Sequence, residues 1–133
     1  MAVSVPNGED LEAKPEIQID GAVNPAYLQT QDLVVGSGKL AEYQHTVLVQ
    51  YVGVLGRTGE EFDSSWGRGG QPVSFPLNGV INGFRNGIAG MQEGGRRVIS
   101  MPPNDGYGAN GAPPVIGPNE PLVFVVDLIQ VQG

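Results

Sequence analysis

From Asp32 onward, apolar residues recur mostly at every second position, in short runs separated by turn residues. Val47, Val49, Tyr51 and Leu55 fall on one face of such a run, and Leu48, Val52 and Val54 on the other. Both faces then need apolar cover, which predicts a central strand. Leu33-Val34-Val35 stops at Gly36-Ser37-Gly38, and Arg57-Thr58-Gly59 reverses the chain toward Phe62. Val73, Phe75 and Leu77 alternate in a further strand, which Pro72 and Pro76 push toward an edge or a bulge. Val98, Ile99 and Met101 follow Gly94-Gly95, and Leu122 to Val131 is the strongest strand, interrupted only by Asp127 and Gln130. The period changes once. Phe84, Ile88 and Met91 recur at i, i+4 and i+7, predicting a helix of two or three turns ended by Gly94. Gly83, Gly87 and Gly90 weaken that helix by up to about 1 kcal/mol each, so it persists only if a sheet holds its apolar face. The pattern is α+β: a curved, mostly antiparallel sheet wrapped on one short helix.

Composition narrows the function classes. Of 133 residues, 40% are hydrophobic, enough for one core despite 21 Gly and 11 Pro. Fourteen acids against seven Lys and Arg give a formal charge of −7, which speaks against a phosphate-tracking surface and so against nucleic acid as partner. The absence of cysteine excludes disulfides, thiolate zinc sites and thiol nucleophiles. No apolar run approaches the roughly 18 residues of a membrane helix, and after Met1 the chain soon turns polar at Pro6-Asn7-Gly8-Glu9-Asp10 where a signal peptide needs an apolar core. The expectation is a cytoplasmic protein with no membrane association, monomeric by default. Residues 1–31 carry five of the acids against Lys14 alone, and Pro6, Pro15 and Pro25 interrupt them. Residues 1–27 are therefore read as an acidic, partly flexible extension, in which the alternating Ile17 and Ile19 could add an edge strand, and residues 28–133 as the folded domain.

Several signals look catalytic but have plainer readings. Gly106-Tyr107-Gly108-Ala109-Asn110-Gly111 matches a dinucleotide-binding pattern, yet it follows Pro102-Pro103 and runs into Pro113-Pro114, where no helix can open. Gly36-Ser37-Gly38-Lys39-Leu40-Ala41 leads into a strand rather than a βαβ unit. His45 is the only histidine, so a triad or an imidazole metal site would depend on this single ring, and a structural role is the default. Glu60, Glu61 and Asp63 cluster at a hairpin, where solvated charge is usual, and no metal site is expected. Trp66-Gly67-Arg68-Gly69-Gly70 reads as a flexible loop. What remains is apolar: Tyr51, Phe62, Val80, Ile81, Phe84, Tyr107, Val115, Ile116 and Phe124 lie beside loops and at strand ends, where a concave apolar site is built.

The ordered segments Tyr51-Val52-Gly53-Val54-Leu55, Gly59-Glu60-Glu61-Phe62-Asp63-Ser64-Ser65, Val80-Ile81-Asn82-Gly83-Phe84, Gly87-Ile88-Ala89-Gly90-Met91, Gly94-Gly95-Arg96-Arg97, Tyr107-Gly108-Ala109 and Leu122-Val123-Phe124 resemble the FKBP-type peptidyl-prolyl cis/trans isomerases. The resemblance covers roughly residues 28 to 132. It implies a five- to six-stranded antiparallel half-barrel around a short helix, with an apolar pocket for a substrate proline or an immunosuppressant macrolide. It also implies catalytic parts for Asp63, Tyr107, Phe84 and Phe124, and substrate contacts from Tyr51, Phe62, Arg68, Val73, Val80, Ile81, Val115 and Ile116. Phe84 would lie under the proline ring, the Ile81 amide and the Tyr107 hydroxyl would bond ligand carbonyls, and Arg68 would sit near Asp63. No cofactor is implied, and the partners are proline-containing polypeptides.

The family commonly has Trp where this chain has Phe84, and often an aromatic where it has Val73. A shallower pocket and weaker ligand binding are therefore expected. The open wall at Val73 also favours an alternative, a non-catalytic module of the same fold that binds proline-containing segments. A holdase-like folding helper is a third reading, but such proteins usually carry an extra domain with exposed apolar surface.

Overall fold

The computed structural model describes residues 3–133, and of Arg68 only the backbone. Strands β1 (Val3–Ser4) and β2 (Gln18–Ile19) pair with each other in a small ribbon. Strands β3 (Gln29–Val34), β4 (Thr46–Leu55), β5 (Glu61–Ser64), β6 (Val73–Pro76), β7 (Arg96–Met101) and β8 (Leu122–Gln132) form the main sheet, and helix α1 (Asn82–Ile88) packs on it. Sheet order is β3-β7-β8-β4-β5, with β6 also on β4, and every pairing is antiparallel. This is the expected α+β half-barrel with six strands. β4 is central as its two apolar faces require: β8 runs along one side, and the other is shared by β5 and β6. Pro72 accordingly precedes, and Pro76 ends, an edge strand.

The helix is shorter than the periodicity predicts. It ends at Ile88, because Ala89 turns extended and Gly90 adopts φ 93°, and the next backbone groups pair with Ala41 instead of continuing the helical ladder. Met91 nevertheless stays buried in the core that Phe84 and Ile88 enter. The glycines that weaken α1 also let it approach the sheet. A Cβ on Gly87 would lie 2.7 Å from Ile99, and one on Gly83 would collide with the Met101 sulfur.

Period-two alternation gives the sheet two different faces. The inner face carries Val47, Val49, Tyr51, Ile99, Met101, Phe124 and Val126 against α1. The outer face carries Val52, Val54, Val98, Val123 and Val125, and onto these pack Val3, Val5, Ile17, Ile19 and Val23. Ile17 and Ile19 thus cover a sheet face rather than extend a sheet edge.

Also on the outer side, Arg96 and Asp127 face each other in the β7–β8 register. The Arg96 side chain is fully buried; its Nε donates to Asp127 Oδ1 at 2.5 Å and its Nη2 to Oδ2 at 2.8 Å. Two further N–H groups reach the carbonyls of Gly8 (3.3 Å) and Ala13 (3.0 Å). Burial pushes the Asp127 carboxyl up from its ordinary range, against the opposing pull of the guanidinium. Among the described residues no helix is long and apolar enough to cross a membrane.

Candidate active site

On the inner face the rings do not fill all the space between sheet and helix. They leave a cavity of about 320 Å³. Tyr51 enters from β4, Phe62 and Asp63 from β5, Phe75 from β6, Phe84 from α1, Phe124 from β8, and Tyr107 from the loop before β8, with Gly79, Val80 and Ile81 forming the approach to α1. Phe84 is the floor. Its ring lies 4.9 Å from Phe124, 5.6 Å from Phe75 and 5.9 Å from Tyr51, all edge-on, the arrangement that ring quadrupoles favour. Phe62 closes one side, 5.5 Å from Phe124 and also edge-on. Gly53 makes that pair possible, since a Cβ there would stand 2.7 Å from both rings.

The polar groups at the rim are held from behind. The Tyr51 hydroxyl donates to Asp63 Oδ2 at 2.7 Å, and Asp63 Oδ1 accepts the Ser64 N–H at 2.9 Å. Ser65, fully buried, accepts the Tyr51 N–H at 2.8 Å and donates to Gln50 Oε1 at 2.6 Å. The Ser64 hydroxyl accepts the Trp66 N–H, which shapes the turn that follows Asp63. The Ile81 carbonyl accepts the Phe84 and Arg85 N–H groups at the start of α1. Among the described residues, nothing accepts the Ile81 N–H or the hydroxyl of half-exposed Tyr107.

The structure thus brings together Tyr51, Phe62, Asp63, Val80, Ile81, Phe84, Tyr107 and Phe124. It sets three other expected residues apart. Val73 packs against the inner core but does not line the cavity; that wall is Phe75, two residues along the same strand face. Ile116 is buried in the core and bridges to Ala112, whereas Val115 is exposed. The side chain of Arg68, expected near Asp63, lies outside the described residues. Phe75, Gly79 and Gly53 were not singled out from the sequence. The legible signal for Phe75 was its place between Val73 and Leu77 in the alternation, and for Gly53 a glycine at an inward position of a central strand.

The other chemical signals take structural places. His45 is buried, its Nδ1 accepting the Glu42 N–H at 3.0 Å. Glu61 pairs with Lys14 at 2.8 Å, and among the described residues no three His, Asp or Glu side chains gather in a metal-holding group. Gly106 to Gly111 form turns that open no helix.

Comparison with known proteins agrees with this geometry. Residues 37–129 match the model of the FKBP-type peptidyl-prolyl cis-trans isomerase family. The chain is 48% identical over 117 residues to a probable FK506-binding protein of Corynebacterium glutamicum, covering 87% of this chain and 97% of that one. It is 46% identical over 121 residues to an FK506-binding protein of Streptomyces anulatus, covering 89% and 97%. Among solved structures, FkpA from Escherichia coli superposes with a TM-score of 0.75 at 39% identity, over 84% of this chain and 52% of that one. A peptidyl-prolyl cis-trans isomerase from Pseudomonas syringae superposes with a TM-score of 0.73 at 35% identity, over 80% and 76%. A family match over most of the chain and relatives spanned almost end to end lead to one conclusion: the chain belongs to the FKBP-type peptidyl-prolyl cis/trans isomerases and is an isomerase of that class.

Proposed function

We propose that catalysis takes place in the aromatic cup over Phe84 and proceeds by desolvation rather than covalent chemistry. Rotation about an Xaa-Pro bond faces a barrier of about 18–20 kcal/mol because the amide C–N bond has partial double-bond character, and uncatalysed exchange takes tens to hundreds of seconds. A million-fold acceleration needs about 8 kcal/mol of preference for the transition state, whereas one hydrogen bond nets only about 0.5–1.5 kcal/mol. No single polar group suffices. The planar amide is a charge-separated resonance form that water solvates well, and the twisted amide has lost that resonance. A cup that replaces water with rings therefore disfavours the planar state relative to the twisted one.

In this reading the proline ring sits on Phe84 between Phe124, Tyr51 and Val80-Ile81. The Ile81 N–H and the Tyr107 hydroxyl hold the carbonyls on either side, and Asp63 polarises the region of the rotating carbonyl. What supports it is the convergence of six aromatic side chains on one cavity that Val80 and Ile81 also line. Residues 28–133 carry the activity, and residues 1–27 form an extension. The same cup is proposed to accept an immunosuppressant macrolide such as FK506, after which the two relatives are named. The protein is further proposed to act as a cytoplasmic monomer, its charge of −7 opposing self-association.

The test is kcat/KM for an Xaa-Pro peptide in Tyr107→Phe and Asp63→Ala. Each is expected to lose about tenfold, in the range of one charge-assisted or neutral hydrogen bond. Unchanged values in both would mean that shape alone acts.

A further inference from the structure

The acidic N-terminal extension, whose described residues 3–27 form a leader to the domain, reaches the strand that carries Phe62 and Asp63. β5 is four residues long, lies at the sheet edge and, among the described residues, pairs only with β4, in a register that slips between Gly53 and Val54. Such a strand is weakly held by its own ladder. The leader grips the hairpin that feeds it at three points. The Val23 N–H donates to the Gly56 carbonyl at 2.6 Å. Ile19 lies against Gly59, whose φ of 80° forms the turn, so closely that a Cβ there would be 3.2 Å from Ile19 Cγ1. Lys14 pairs with Glu61, the first residue of β5, at 2.8 Å. The leader is itself anchored on the opposite flank, where its Gly8 and Ala13 carbonyls accept from buried Arg96.

We propose that residues 14–23 position the β4–β5 hairpin and thereby the Phe62 ring and the Asp63 carboxylate, with Ile19 as the principal positioning residue. This rests on the reading of the Phe84 cup as the catalytic site. The exposed Lys14–Glu61 pair adds little, as surface pairs do. The apolar contact of Ile19 and the Val23 hydrogen bond carry the effect. Placement matters here because the Tyr51–Asp63 bond and the Phe62–Phe124 contact both span from β5 to its neighbours, and displacements on the order of 1 Å in a catalytic constellation reduce rates severely.

The experiment compares Ile19→Ala with Leu33→Ala in the full chain. Both side chains are partly buried on the same outer face, but Leu33 lies on β3, away from the hairpin. Ile19→Ala should lower kcat/KM by about threefold to tenfold well below the melting transition, and should shift the backbone amide resonances of Phe62 and Asp63. Ile19→Val should restore both. Leu33→Ala should lower Tm without either change. The proposal is overturned if Ile19→Ala lowers only Tm, with kcat/KM and those amides as in the unsubstituted protein, or if Leu33→Ala reduces kcat/KM equally. Absence of activity in the unsubstituted protein would instead defeat the catalytic reading, while the resonance comparison would still decide whether Ile19 positions β5.

Discussion

The two faces of the sheet are built from the same strands and differ in how they are finished. On the inner face, residues such as Tyr51 and Phe124 alternate with outward valines, and their rings, meeting edge-on with Phe62, Phe75 and Phe84, stop short of filling the space. On the outer face, five valines are covered by the leader, and two leader carbonyls accept N–H groups of the buried Arg96–Asp127 pair there. The inner face differs in that its cavity is walled by rings that meet edge-on around Phe84, a surface suited to an apolar ligand, whereas the outer valines are packed under the leader. The outer face tolerates a buried charge pair because both Asp127 oxygens accept from Arg96 and two further guanidinium N–H groups find carbonyls of the covering backbone.

The comparison can be broken first at Arg96. Arg96→Met leaves Asp127 buried without its cation, and is expected to destabilise the fold by about 3–5 kcal/mol in urea titration. The double variant Arg96→Met/Asp127→Leu should recover most of that loss. The pair faces away from the cup, so kcat/KM of the folded fraction should fall only through the leader that Arg96 anchors, and by less than in Ile19→Ala.

Gly53→Ala should have the opposite profile. The added methyl meets the Phe62 and Phe124 rings, so an overpacking cost of about 1–3 kcal/mol is expected. A loss of kcat/KM of about tenfold or more should accompany it, because the displaced rings are the cavity wall. Stability loss with full activity would mean that the Phe62–Phe124 contact does not shape the site.

The smallest effect concerns Glu93, at a seam between the main sheet and the loop after β3. Its carboxylate accepts the Val131 N–H at 2.7 Å and the Lys39 N–H at 3.1 Å, and these bonds, the Val131 bond first, hold its pKa below the ordinary 4.5. A depressed carboxyl contributes stability that is fully present above its unfolded pKa and disappears as pH falls through the folded value. The unsubstituted protein should therefore lose stability below about pH 4.5 more steeply than Glu93→Gln, as read from Tm against pH. Equal slopes would remove Glu93 from the acid response.

Much of the inner face was legible in the chain itself. Alternation located β4, β6, β7 and β8, and the ordered motifs named most of the residues that line the cavity. Helical periodicity through Met91 overran the helix because Gly90 redirects the backbone while keeping Met91 on the same apolar surface. The resemblance aligns Val73 with the wall, and Phe75, on the same strand face, lines the cavity. Ile17 and Ile19 showed strand spacing, which is silent on whether a strand extends an edge or covers a face.

The sequence by itself determined which residues share a face, where the chain turns and which apolar residues gather near the loops, since these follow from local periods of 2 and 3.6 and from turn chemistry. Only the tertiary structure decided that the leader forms the second layer, that Arg96 and Asp127 meet under it, and that Phe75 and Gly53 complete the cup. Those outcomes depend on contacts between segments as much as 88 residues apart, such as Arg96 with Gly8. A period fixes the face on which a side chain lies, but what covers that face is settled by the competition of all distant segments to bury apolar area and satisfy polar groups.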